Sequence, residues 1–163
     1  MSAVEGVSAP CPFCAADIAS AAFLADAQFL ALHNIAPVLP GHSLVVPRRH
    51  VASLLELVDD ELAAMVLFAR RTTRLLGRVF AAHGFDWTIQ DGAAAGQTVP
   101  HLHLHVIPRH EGDLPEPGDW YPRLMASEAA ALDSRVRPRL SAAEYAGIAE
   151  RLRMMAAMEL PEA

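Results

Sequence analysis

The chain is 163 residues long, 53% hydrophobic and 20% charged, with a formal net charge of −6. That length and balance suit one folded domain with its own core. They argue against broad nucleic-acid binding driven by phosphate neutralisation, and no apolar run of about 18 residues is present to cross a membrane.

The opening MSAVEGVSAP has neither the basic region nor the apolar block of a signal peptide, so a cytoplasmic protein is expected. Cys11 and Cys14, in CPFC, are the chain's two cysteines. In a reducing compartment that spacing points to metal ligation or redox chemistry before a structural disulfide. AQFLALHNI and HSLVVPRRH read as strands, joined by the Pro-Gly turn in APVLPGH. Residues 58–83 read as a long helix. Asp59, Asp60 and Glu61 crowd its first turn, where carboxylates suit the helix dipole. Leu62, Met65, Val66, Ala69, Leu76 and Phe80 follow helical spacing, and Gly84 is expected to stop it. Arg70, Arg71, Arg74 and Arg78 form a basic side, read as a solvated helix face.

FDWTIQDG follows as a strand ending in a turn, AAAGQTVP as a small-residue loop, and HLHLHVIPR as another strand. EGDLPEPGDWYP reads as a Pro-rich loop whose Trp120 and Tyr121 pack rather than close over a substrate. Residues 141–156 read as a helix opened by the capping box SAAE, with Tyr145, Ile148, Ala149 and Leu152 on one face. Short strands broken by one long helix predict an α+β domain with an antiparallel sheet.

The stretch TVPHLHLHVIPRH carries the chemistry. His101, His103 and His105 alternate with Leu102, Leu104 and Val106. On a strand the histidines share one face and the aliphatic residues point to the core. The outer pair would lie about 13 Å apart, too far for one metal with ligands at about 2 Å to take all three. The row is therefore not a simple three-histidine metal site. A neutral imidazole is a good nucleophile toward phosphorus, and a protonated one a good acid for a leaving group. Before the row, Gly92 and Gly96 allow a tight loop or close approach to an anion, and Gln97 and Thr98 offer neutral donors for phosphate oxygens.

These residues resemble the histidine triad (HIT) family. HLHLHVI fits its histidine pattern, and ALHNIAPVLPGHSLVVPRRH resembles its upstream half. The resemblance covers roughly Cys11 to Leu124. It implies an antiparallel sheet of about five strands with one long helix, usually paired as a homodimer, here with a C-terminal helix. The chain would be a single domain over residues 1–163, with its core at about 11–124 and a helical extension at 125–163. The resemblance also implies nucleotide hydrolysis or transfer at the α-phosphate. His103 matches the nucleophile, His105 the residue that contacts the scissile phosphate and supports the leaving group, and His42 the fourth histidine of the network. Gln97 and Thr98 match phosphate and leaving-group contacts, and Asn34 matches the residue that holds ribose hydroxyls.

QDGAAAGQTVPHLHLHVIPR is most similar to the fragile histidine triad branch, the diadenosine polyphosphate hydrolases, with Gln90 as its marker where the phosphoramidase branch usually has Asn. The CPFC stretch departs from that branch's eukaryotic members. Bacterial relatives use such a pair, with a later histidine and the first triad histidine, to bind structural zinc. Here that set is Cys11, Cys14, His50 and His101. No catalytic metal is needed, although substrate polyphosphate can carry Mg²⁺. The alternatives are a phosphoramidase or nucleotidyltransferase of the same family, a non-catalytic nucleotide-binding protein, or a zinc-dependent hydrolase in which the metal does the chemistry.

Overall fold

Alternating and apolar runs between turn residues place the strands of this protein. In the computed structural model, residues 11–129 and 139–158 are described. In chain order the elements are α1 (Ile18–Ala21), β1 (Leu24–Ala25), β2 (Phe29–His33), β3 (Ser43–Pro47), α2 (Asp59–Phe80), β4 (Gly84–Ile89), β5 (Leu104–Arg109), α3 (Trp120–Ala129) and α4 (Ala142–Met158). The strands form one five-stranded sheet in the order β1-β2-β3-β5-β4. Every neighbouring pair is antiparallel. The result is the expected α+β architecture.

Register decides which side chains meet. Leu44 of β3 pairs with His105 of β5, and Ser43 with Val106. Thr88 of β4 pairs with His105 on its other side. One sheet face carries Phe29, Ala31, Val45, Leu104 and Val106, packed on Met65, Phe68, Ala69, Leu75, Leu76 and Val79 of α2 and Leu152 of α4. Leu102 joins this core, so the aliphatic residues between the histidines point inward as alternation predicts. The opposite face carries Leu30, Leu32, Leu44 and Val46, against which Phe13, Ile18 and Ala21 of the N-terminal segment pack. β5 is an interior strand between β3 and β4, and each of its residues from Leu104 to Pro108 is buried.

Several boundaries differ from the sequence reading, each for a local reason. The long helix ends at Phe80, before Gly84. Ala81 takes the left-handed cap at φ 51°, and its N–H and that of Ala82 both reach the Gly77 carbonyl. Gly84 instead opens β4. Leu62 and Val66 are 39% and 48% exposed, so the buried stripe of α2 is narrower than their spacing suggested. The Pro-rich segment turns helical at its end. Pro117 starts a 3-10 turn, the Asp119 carboxylate accepts from the Glu116 N–H, and α3 begins at Trp120. Proline at 122 is tolerated because a helix's first turn makes no use of its N–H. The segments α1 and β1 are only 4 and 2 residues long and left no periodic signal. At α4 the expected capping box is present: the Glu144 carboxylate accepts from the Ser141 N–H, and the Ser141 hydroxyl accepts from the Glu144 N–H.

Candidate active site and metal centre

The β2–β3 connection delivers the first imidazole. Gly41 sits there at φ +84°, and a Cβ at this position would lie 2.8 Å from both Phe80 and Pro108. Only glycine fits, and the next residue, His42, is thereby held fully buried against the sheet. Its Nδ1 accepts a hydrogen bond from the Val38 N–H at 3.1 Å. The remaining proton of a neutral His42 is then on Nε2, which donates to Nδ1 of His105 at 2.9 Å. His105 in turn carries its proton on Nε2. The chain Val38 to His42 to His105 thus sets two tautomers through one backbone amide.

His103 is set differently. Its Nδ1 lies 2.7 Å from the carbonyl oxygen of His101, which can only accept. The proton is therefore on Nδ1 and the lone pair on Nε2. The His103 and His105 rings are 4.9 Å apart, nearly perpendicular. One ring presents a basic nitrogen and its neighbour an N–H, the pair that a displacement at phosphorus requires. Only His105 of the three lies inside β5; His101 and His103 occupy the run just before it.

The loop leading to this run is tied down by its own side chains. The Asp91 carboxylate accepts from the Ser53 hydroxyl and the Leu54 N–H, each at 3.0 Å. Gln97 accepts from the Gly92 N–H at 2.8 Å and donates to the Ala52 carbonyl at 2.9 Å. The Gln97 amide thus shapes the loop through its oxygen and one of its two N–H donors. Thr98 is exposed beside it. Gln90 is buried, and its Nε2 donates to Sδ of Met125 at 3.1 Å. Asn34 accepts from the Ala36 N–H at 2.9 Å, and its Nδ2 lies 3.4 Å from His42 Nε2.

His101 turns away from the other two. Its Nε2 donates to the Pro47 carbonyl at 2.9 Å, leaving the Nδ1 lone pair toward the N-terminal segment. That nitrogen lies 3.4 Å from Cys11 Sγ and 3.6 Å from Cys14 Sγ. Cys14 Sγ is 3.2 Å from Nδ1 of His50. The four ligand atoms all lie within 4.8 Å of one another. Tetrahedral zinc with bonds of about 2.3 Å to sulfur and 2.0 Å to nitrogen spaces its ligand atoms roughly 3.3–3.8 Å apart. The residues fit that ion in donor type, number and spacing. Burial, with charge on His50 or His103 adding to it, lowers the His101 pKa and favours the neutral form a ligand must have. The Pro47 bond supplies the outer-shell anchor that fixes a ligating histidine's tautomer.

The structure therefore brings His42, His103 and His105 into one cluster and Cys11, Cys14, His50 and His101 into another, back to back. A HIT domain family model matches residues 15–112. The chain belongs to the HIT domain family. Within the HIT family it is similar to a bis(5'-nucleosyl)-tetraphosphatase [asymmetrical] of Schizosaccharomyces pombe, 42% identical over 95 residues covering 58% of this chain and 52% of that protein. It is also similar to a bis(5'-adenosyl)-triphosphatase of Dictyostelium discoideum, 45% identical over 83 residues covering 51% of this chain and 56% of that one. The match thus spans little more than half the length of either relative. Among solved structures, a zinc-bound histidine triad family protein from Mycobacterium smegmatis superposes with a TM-score of 0.58 at 34% identity, covering 77% of this chain and 96% of that one.

Two residues of this HIT domain's site escaped sequence reasoning. Phe13, between the cysteines, has its ring 5.5 Å from His101 and 5.6 Å from His103, so it separates the two clusters. Its position inside CPFC was the available signal. Met125 contacts Gln90 from α3, and nothing in the local pattern marks it.

Proposed function

We propose that this HIT domain hydrolyses dinucleoside polyphosphates of the diadenosine tri- and tetraphosphate type at the α-phosphate. The observation that carries the reading is the 2.7 Å bond from His103 Nδ1 to the His101 carbonyl, which commits the Nε2 lone pair to nucleophilic attack. His103 Nε2 forms an N–P bond as the bond from phosphorus to the departing nucleotide oxygen breaks. His105, carrying its proton on Nε2, donates a hydrogen bond to the oxygens that gain charge. Water then attacks the nucleotidyl-histidine and releases a nucleoside monophosphate, restoring neutral His103. Splitting one displacement into two lowers each barrier. The names of the relatives support this substrate class. Asn34, Gln90, Gln97 and Thr98 are proposed to hold the ribose and the phosphates, with His42 and Gln97 completing the catalytic set. Mg²⁺ is proposed to enter with the polyphosphate.

Zinc is the proposed occupant of the Cys11, Cys14, His50 and His101 site, where it ties the N-terminal segment to the catalytic run and takes no part in the displacement. A homodimer is proposed through the flank where Leu62 and Val66 of α2 and Trp87 of the edge strand β4 stay exposed. Trp87 donates to the Thr73 hydroxyl of α2, joining that strand edge to the helix flank. No described helix is long and apolar enough to cross a membrane; a cytoplasmic location is part of the same proposal.

The test is to mix the protein and its His103→Ala variant with diadenosine triphosphate and resolve the products. Wild type should release AMP and ADP, and the variant should lose roughly 1000-fold or more in turnover. Equal rates for the two proteins would refute the reading. Cleavage of adenosine phosphoramidate in place of the dinucleotide would move the assignment to the phosphoramidase alternative.

A further inference from the structure

α3 lies across the active face of the sheet. At its start, Trp120 packs with Leu39, Ile107 and Leu114. Ile107 is two residues beyond His105 on β5, so it shares the histidine's face. One turn along α3, Leu124 is fully buried and Met125 reaches the loop before the triad. The Met125 thioether sits between two of that loop's residues. Its Sδ accepts from Gln90 Nε2 at 3.1 Å, and its Cε lies 2.6 Å from where a Cβ on Gly96 would be. Gly96 has φ +92°, and a side chain there would have to displace the end of Met125. The β4–β5 register then places this contact relative to the chemistry. Thr88 pairs with His105 and Ile89 with Leu104, so Gln90 follows on the His105 face as β4 ends.

We propose that Met125 is a positioning residue for the leaving-group phosphates, acting through Gln90. This rests on the hydrolase reading above. The hydrophobic strip of Leu30, Leu32, Leu44 and Val46 lies on the β3 side of β5, whereas Gln90 and α3 lie on the β4 side. On this proposal the arm of the substrate that carries the leaving-group phosphates runs beside Gln90 and the start of α3. A thioether is a weak acceptor. It orients the Gln90 amide in the substrate-free protein, yet gives up the N–H at little cost when a phosphate oxygen arrives. A carboxylate or carbonyl in its place would compete with the substrate for that donor.

The experiment uses Met125→Leu, which keeps the volume and removes the acceptor, alone and combined with Gln90→Leu. For diadenosine triphosphate, Met125→Leu should raise KM about fivefold, because the Gln90 amide is no longer oriented before binding, with kcat changed less than about twofold since the contact is released in the complex. In the Gln90→Leu background it should produce no further loss, because the two residues act as one unit. Equal losses in both backgrounds, or a change in melting temperature without one in KM, would assign Met125 to packing and overturn the proposal. A second measurement separates this from failure of the hydrolase reading. In the substrate-free protein the Gln90 side-chain amide resonance should shift on Met125→Leu whether or not any dinucleotide is cleaved. An unchanged resonance overturns the proposal on its own.

Discussion

His33 should make the protein acid-sensitive. It is the last residue of β2 and only 3% exposed, and among the described residues neither ring nitrogen makes a hydrogen bond of good geometry, the Asn34 backbone being the polar group beside it. Tyr145 of α4 packs edge-on against it at 6.2 Å, and the charged group set against that tyrosine is Arg153, a cation that offers nothing to a second cation. Burial lowers the His33 pKa from 6.5 to about 4, opposed only weakly by the Asn34 backbone. The sign follows from which state takes the proton first. The unfolded chain binds it below 6.5 and the folded chain only below about 4, so stability is whole above 6.5 and falls as pH drops through that window. At 1.36 kcal/mol per pH unit the full gap is worth about 3 kcal/mol, most of it lost by pH 4.5. Urea unfolding at pH 7.5, 5.5 and 4.5 should show wild type losing about 2.5 kcal/mol more than His33→Leu across that range. Other histidines and any metal ligands titrate in both proteins and cancel in the difference. Parallel stability curves for the two proteins would show that His33 is solvated or partnered in solution and refute the reasoning.

Two further outcomes are expected. Gly41→Ala forces a Cβ to within 2.8 Å of Phe80 and Pro108 at a positive φ, which should cost about 2 kcal/mol or more in unfolding free energy and lower kcat by displacing His42. Circular dichroism melts and turnover should both fall; a variant of normal stability would mean the turn relaxes freely. The metal site should hold about one zinc per chain by elemental analysis, and Cys14→Ser or a chelator should lower the melting temperature while leaving zinc-free residual turnover dependent on His103. Zinc below about 0.2 per chain in protein purified without chelators would remove the structural-zinc proposal.

Much of this fold was legible because its signals are periodic. The HLHLH run alternates, and the alternation alone sent Leu102, Leu104 and Val106 into the core. Helix α2 was legible by length, but its buried stripe was misjudged at Leu62 and Val66. Those side chains sit at the margin of the stripe, where spacing cannot tell a core position from an exposed flank. The end of α2 was misplaced because Gly84 carries the usual stop signal, whereas Ala81 takes the left-handed cap without looking like one. Proline hid α3, since residues that disfavour a helix interior are compatible with its first turn. The histidine and cysteine positions of the site were visible as motifs. The partners that orient them were not, because they are backbone groups, which every residue carries and no side-chain pattern marks: the carbonyls of Pro47 and His101 and the N–H of Val38. His33 and Met125 were invisible for a related reason, each acquiring its significance from an element more than 30 residues away.

Residue 101 shows why the row of three histidines divides as it does. Its side chain is held at both ends, by the Pro47 carbonyl at Nε2 and by the two cysteine sulfurs at Nδ1. Its backbone carbonyl is the acceptor that keeps the His103 proton on Nδ1. One residue thus serves the proposed metal site with its ring and the proposed nucleophile with its main chain. The carbonyl is held through its own peptide plane, whose Leu102 N–H donates to the Val51 carbonyl at 2.7 Å. A carbonyl held in that plane keeps the His103 proton on Nδ1, the tautomer the proposed attack uses. The alternation of the sequence supplies the spacing that makes this possible. His101 points to the N-terminal cysteines while His103 stays beside His105, and the Phe13 ring packs against both.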